Sequence, residues 1–277
     1  MCPKALEAGW IGSETGGVRR SRCNRFAASR PTANGDAAAP SCYHLFMGSA
    51  RLSSLVKVKH DGAGHYPTKL ERSADLWVHV VGLSAGAVGG LTLTIVALCF
   101  GHIAQAGAVA VYATCLVLMF VCSLAYNLTN GRRKSVLRRM DHAAIFLMIA
   151  GSYTPFTTQC LTGGWAVGMT CAVWGLALAG VAGKLWLPRV PKALWIVLYL
   201  ALGWLSVIAV RPLYAHVPLL GLVLIASGGL VYTVGVIFYL AHGLKFRRAI
   251  WHGFVVAAAA THFMAILTGV VLPAAMA

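Results

Sequence analysis

Acid is what this sequence most lacks. Seven Asp and Glu stand against 23 Lys and Arg in 277 residues, a formal net charge of +16. Beyond residue 75 a single acid remains, Asp141. A basic balance often marks a nucleic-acid binder. Here the cations sit in short bursts beside long apolar runs, so nucleic acid is excluded and anionic lipid headgroups become the partner. The eight cysteines form no CxxC pair and no metal-finger spacing, which removes a zinc ribbon. Cys99, Cys115, Cys122 and Cys171 lie inside apolar runs, where Cys acts as a small hydrophobe. The state of Cys160, expected near the outer face, is open. No internal repeat is visible, which argues against a repeat-built transporter. The absence of an amphipathic pore-forming segment or a secretion signal argues against a dedicated cytolysin.

What is present is apolar. Hydrophobic residues make up 58% of the chain and charged residues 11%. Seven runs approach the ~20 residues that a bilayer core demands. They lie at about 76–100, 104–127, 141–160, 164–183, 193–210, 217–240 and 250–273. Lys and Arg, counted from the N-terminus through each gap, number 11, 0, 5, 0, 3, 1, 3 and 0. That alternation is the positive-inside pattern of an all-α, seven-transmembrane-helix bundle with its N-terminus cytoplasmic and its C-terminus outside. The chain divides into residues 1–70, a disordered basic extension, and residues 71–277, the membrane domain. Residues 1–46 are either an organelle leader or lie upstream of a true start at Met47. A multi-pass protein of this kind belongs in the plasma (inner) membrane if bacterial.

Small residues recur at helix-packing spacing: Gly82, Gly86 and Gly90 in the first span, and Gly175, Ala179 and Gly183 in the fourth. Pro155, after Gly151, Ser152 and Thr154, should kink or unwind the third span, because it removes a donor and clashes with the preceding turn.

Polar groups at membrane depth are costly, so each is a functional candidate. Asp141 opens the third span after Arg138 and Arg139, where it also suits the helix dipole. His252 opens the seventh. Ser123 and Asn127 close the second, one turn apart on one face. The topology puts these four residues at similar depth on the cytoplasmic side. His79, His142, His242 and His262 are read as satisfied interior histidines, and His216 as facing the outer solvent.

The motifs at these positions resemble the haemolysin III family, bacterial relatives of the progestin and adiponectin receptors. They are S-L-A-Y-N (Ser123 to Asn127), R-R-M-D-H-A-A-I-F (Arg138 to Phe146), A-G-S-Y-T-P-F (Ala150 to Phe156), G-G-L-V-Y-T-V-G-V-I-F-Y (Gly228 to Tyr239), W-H-G-F-V-V (Trp251 to Val256) and T-H-F (Thr261 to Phe263). E-R-S-A-D-L-W-V-H-V-V-G (Glu71 to Gly82) also fits. The resemblance covers about residues 67–273. It implies a zinc site near the cytoplasmic face, held by three histidines with an Asp and a Ser close by. By the resemblance, Asp141 and Ser123 are the catalytic candidates and His252 a metal ligand. Asn127 and Arg248 replace the other two histidines. Asn is a poor zinc ligand, and a guanidinium repels a dication.

Two readings of Arg248 follow. In one, it turns toward Asp141, fills the place of the metal's charge, and forms a structural polar cluster with Asn127 and Asp141. In the other, it reaches the headgroups with Lys245 and Arg247. The functions open at this point are a receptor-like or membrane-homeostasis protein with a substituted metal site, a zinc-dependent membrane lipid amide hydrolase, and a pore-forming cytolysin. A lipid ligand suits the first two.

Overall fold

Thr68 starts the bundle: its hydroxyl accepts the Glu71 backbone N–H at 3.2 Å, the N-terminal signature of a helix. In the computed structural model, which describes residues 66–187 and 189–276, every long element among the described residues is a helix. The expectations for residues 1–65, the disordered extension and the start at Met47, lie outside the described residues.

Helix α1 spans Lys69–Phe100, α2 Ile103–Leu128, α3 Lys134–Gln159 and α4 Gly163–Trp186. The fifth crossing, α5, runs Lys192–His216 and is interrupted by a tight turn at Leu205–Ala209. Helix α6 spans Leu219–Leu240, and α7 spans Arg247–Ile266 before continuing through a π turn at Leu267–Val271. All seven expected spans are present as helices. The first and third begin earlier than expected, at Lys69 and Lys134, because helix extends past the apolar run into the flanking charges.

Six of the seven, all but α3, are long and apolar enough to cross a membrane. Helix α3 has 26 residues, about 39 Å at 1.5 Å per residue. Its lower hydropathy has a physical reason: it packs between α2 and α4, so its polar side chains meet protein rather than lipid. Thr154 and Thr158 donate to the carbonyls of Ala150 and Thr154. Helix α3 runs through Pro155 without unwinding, and these neighbouring hydroxyls satisfy backbone oxygens around the site.

Close packing at glycine brings the functional helices together. A Cβ on Gly82 would stand 2.7 Å from the Phe120 ring and 2.8 Å from Val256, so α1 approaches both α2 and α7 there. Gly90 faces the Ala113 Cβ at 2.8 Å. The fourth-span stripe behaves differently. Gly175 and Ala179 are exposed, Gly183 alone of the stripe packs closely, a Cβ there standing 2.9 Å from the Trp195 ring, and α4 packs otherwise through Val173, Ala177 and Gly180. Large apolar residues such as Leu91, Ile95 and Val223 stay exposed around the bundle, as a lipid-facing surface requires.

Tyr153 holds the α5 interruption. Its hydroxyl accepts the Ser206 N–H at 2.8 Å and donates to the Gly203 carbonyl at 2.7 Å. Tyr153→Phe strips both partners and should cost about 1–3 kcal/mol, the range for buried groups left unpaired. A fall in the thermal midpoint of the detergent-purified chain would show it. An unchanged midpoint would mean that the turn stands without Tyr153.

Candidate metal centre

Asp75 and His79 are one turn apart on the buried face of α1. They are only 1% and 2% exposed. The His79 Nδ1 lies 2.8 Å from the Asp75 backbone oxygen. A carbonyl only accepts, which assigns the proton to Nδ1 and leaves Nε2 with its lone pair in the neutral ring. That nitrogen takes the Ser123 hydroxyl of α2 at 3.0 Å. The Asn127 amide donates back to the Ser123 carbonyl at 2.9 Å, which fixes this end of α2.

Helix α7 brings His252 against the pair. Its Nδ1 donates to Asp75 Oδ1 at 2.5 Å, and its ring centroid lies 4.2 Å from that of His79. The other Asp75 oxygen accepts from the Tyr66 hydroxyl at 2.5 Å. Burial, reinforced by the Asp75 carboxylate, pushes the Tyr66 phenol far above its ordinary pKa, so it remains a donor. The Arg248 guanidinium covers the Tyr66 ring, 4.9 Å from its centroid.

Asp141 faces the shared cavity beside these groups. Ser123, His252 and Lys184 line the same cavity. Ser123, Asn127, Asp141 and His252 thus meet at one end of the bundle. Arg248 sits there too, against Tyr66, and Lys184 lines the same cavity.

Sequence reasoning misses two residues. His79, to sequence a satisfied interior histidine, is part of the cluster. Asp75 falls just outside a first span that begins at residue 76. The signal that could have found them is the Asp–His pair at i, i+4 where an apolar run begins. His242 is exposed rather than interior, and His216 is exposed as expected. His262 stacks on Tyr232 with centroids 5.8 Å apart, and His142 lines the cavity. Cys115, Cys122 and Cys160 are buried and unpaired, and the Cys160 thiol approaches the Gly269 carbonyl at 3.8 Å.

The donor chemistry fits a divalent ion, with His252 a donor as the motif implied and Asp75 and His79 as donors where the motif implied positions 127 and 248. A ring nitrogen of His79, one of His252 and a carboxylate oxygen of Asp75 all lie within 4.8 Å of one another. Two imidazoles and one carboxylate are the ligand class of catalytic zinc and of non-haem iron. The His79 Nδ1 contact with a carbonyl is the outer-shell arrangement that orients metal-binding imidazoles. Two neighbouring carboxylates, Asp75 and Asp141, supply the charge to balance a dication.

The profile of the family described as Haemolysin-III related matches residues 69–263. The chain is 34% identical over 198 residues to the Hemolysin-3 homolog of Bacillus subtilis (strain 168), covering 71% of this chain and 93% of that protein. It is 33% identical over 200 residues to Hemolysin-3 of Bacillus cereus, covering 71% and 90%. The Monocyte to macrophage differentiation factor of Homo sapiens is 30% identical over 164 residues, covering 56% of this chain and 67% of that protein. With its seven-helix architecture and buried Asp/His cluster, this chain is a multi-pass integral membrane protein that belongs to the haemolysin III family.

Proposed function

We propose that this protein is a membrane-embedded hydrolase acting on a lipid carbonyl, with Asp75, His79 and His252 as its metal ligands. The observation that carries this reading is a cavity of about 710 Å³ that joins the polar cluster to apolar interior. One end of its wall holds His79, Ser123, Asp141 and His252. Elsewhere it is lined by side chains such as Met119, Ile149 and Trp204. Ligand pockets typically enclose about 300–1,000 Å³, so a lipid acyl segment has room.

A divalent ion held by these ligands supplies Lewis-acid polarisation of a carbonyl and a water of lowered pKa. The chain's own groups do the rest. Asp141 borders the cavity and is the carboxylate placed to accept a proton from water and return it to the leaving amine. With the His79 Nε2 lone pair given to an ion, the Ser123 hydroxyl, which accepts from the Asn127 amide at 3.4 Å, would be free to donate to a substrate oxygen. The apolar wall keeps bulk water away and strengthens each of these interactions. A lipid amide, the substrate class of the hydrolase left open by the sequence, is the first to test.

A second reading has its own support. Asn127 and Arg248 stand where the family motif places histidines, which favours a receptor-like or membrane-homeostasis protein whose cavity takes up lipid without cleaving it.

The test is fatty-acid release from an N-acyl lipid amide by the full chain in nanodiscs. The hydrolase reading expects release that stops on chelation, returns with zinc, and falls by about 10²–10⁴ in Asp141→Asn, the usual contribution of a positioned acid–base group. Lipid uptake with no release by zinc-loaded protein would establish the second reading instead.

A further inference from the structure

Apart from Arg248, whose guanidinium covers Tyr66, the polar cluster does not use the cations around the cavity. Arg138, Arg139, Lys184, Lys192, Arg247 and Arg248 all line it, and they come from α3, α4, α5 and α7. They converge at the end of the bundle where the cation-rich connections lie. Asp141 is the only acid on that wall among the described residues.

A cation that merely meets bilayer headgroups extends outward on a flexible stem. Two of these are instead held at the wall by aromatic rings that also line the cavity. The Lys192 ammonium lies 4.1 Å from the Tyr239 centroid, and the Lys184 ammonium 4.3 Å from the Trp195 centroid. Arg247 lines the same cavity from α7, so two like charges border one space. One of its guanidinium nitrogens, Nη1, is buried and has no hydrogen-bond partner among the described residues. A buried charged donor left unpaired is costly, and a guanidinium is shaped to take two oxygens of a phosphate. By contrast, Arg132 and Arg133, in the preceding connection, are exposed and do not line the cavity.

We infer that the cavity is a binding site for an anionic amphiphile: a phosphate-type head held between Lys192 and Arg247, and an acyl or alkyl tail lying in the apolar interior. The site depends on the cavity and its cations, and not on whether the polar cluster hydrolyses anything. Failure to cleave an N-acyl lipid amide would overturn the enzymatic reading and leave this site intact.

The test uses purified full-length protein in phosphatidylcholine nanodiscs, titrated with dodecyl phosphate, dodecanol and inorganic phosphate, and read by native mass spectrometry and tryptophan fluorescence. Dodecyl phosphate should bind one per chain, at least tenfold tighter than dodecanol or inorganic phosphate. The double variant Lys192→Gln, Arg247→Gln should lose at least tenfold in dodecyl phosphate affinity while retaining dodecanol binding, which also shows that the cavity is intact. The charge-keeping pair Lys192→Arg, Arg247→Lys should recover most of the loss. Arg132→Gln, Arg133→Gln should bind as the parent does. Equal binding of dodecyl phosphate and dodecanol would overturn the inference. So would inorganic phosphate matching dodecyl phosphate, or an equal loss in the Arg132, Arg133 control, which would reduce the effect to surface charge.

Discussion

Asp75→Asn is expected to weaken zinc binding by at least about 100-fold, the upper end of what an outer-shell partner contributes and a lower bound for a ligand. The substitution keeps the shape of the side chain and removes its charge. Asp75 joins the donor set and is the hydrogen-bond acceptor shared by Tyr66 and His252. An amide offers one oxygen where the carboxylate offered two, so one of those two donors loses its acceptor. A stability loss of about 1–3 kcal/mol should accompany the loss of metal, from that buried donor alone. Chelator competition measures the first effect and thermal unfolding of the metal-free protein the second. Retained affinity would place the metal elsewhere. A change in affinity without a change in metal-free stability would show that the Tyr66–Asp75–His252 bonds carry no net energy.

Gly180→Val should be the most damaging single change in the packing between α3 and α4. Its Cβ would fall 2.5 Å from the Phe146 ring. That ring is 2% exposed and is itself packed against Tyr199, 4.5 Å between centroids, and Trp195, 6.1 Å away. Phe146 therefore has no free direction in which to retreat. Overpacking of this kind costs about 1–3 kcal/mol, and a β-branched side chain belongs at the upper end. Tyr199 and Trp195 also line the cavity, so ligand uptake should weaken in parallel. Gly175→Val is the matched control. Gly175 is on the same helix and exposed, and a Cβ there would meet nothing within 4 Å. Its replacement should leave the thermal midpoint unchanged. Equal destabilisation by the two would mean that helix propensity rather than the Phe146 contact decides the outcome.

The helices are legible in the sequence because a bilayer imposes a length and an apolar composition on anything that crosses it. Helix ends are less so. Residues Lys134 to Met140 are mostly polar, and nothing in their hydropathy shows that the helix of Asp141 already runs through them. The break in α5 is hidden because Leu205–Ala209 is as apolar as the helix around it, and the group that holds the turn, Tyr153, comes from another helix. The fourth-helix stripe shows the same limit: Gly175 and Ala179 have the right spacing, but which face a helix turns inward depends on its neighbours.

At the site, the motifs point to Ser123, Asn127, Asp141, Arg248 and His252, and the structure brings all five to one end of the bundle. Asp75 and His79 escape a reading in which depth follows the apolar run and a lone histidine inside it is taken as satisfied. Asp75 stands just outside that run in sequence, yet the Gly82 contact draws α1 against α2 and α7 and buries it. Tyr66 then covers it from the segment before the helix. The candidate metal centre thus lies on α1 and α7, where the motif implied α2 and α7.

The metal centre is tested most directly by the zinc content of the detergent-purified full chain, taken side by side for the parent, Asp75→Asn and Asn127→Ala. About one zinc per chain is expected in the parent and in Asn127→Ala, with loss in Asp75→Asn. A parent without zinc after zinc loading, or zinc retained at the parental level in Asp75→Asn, would contradict it.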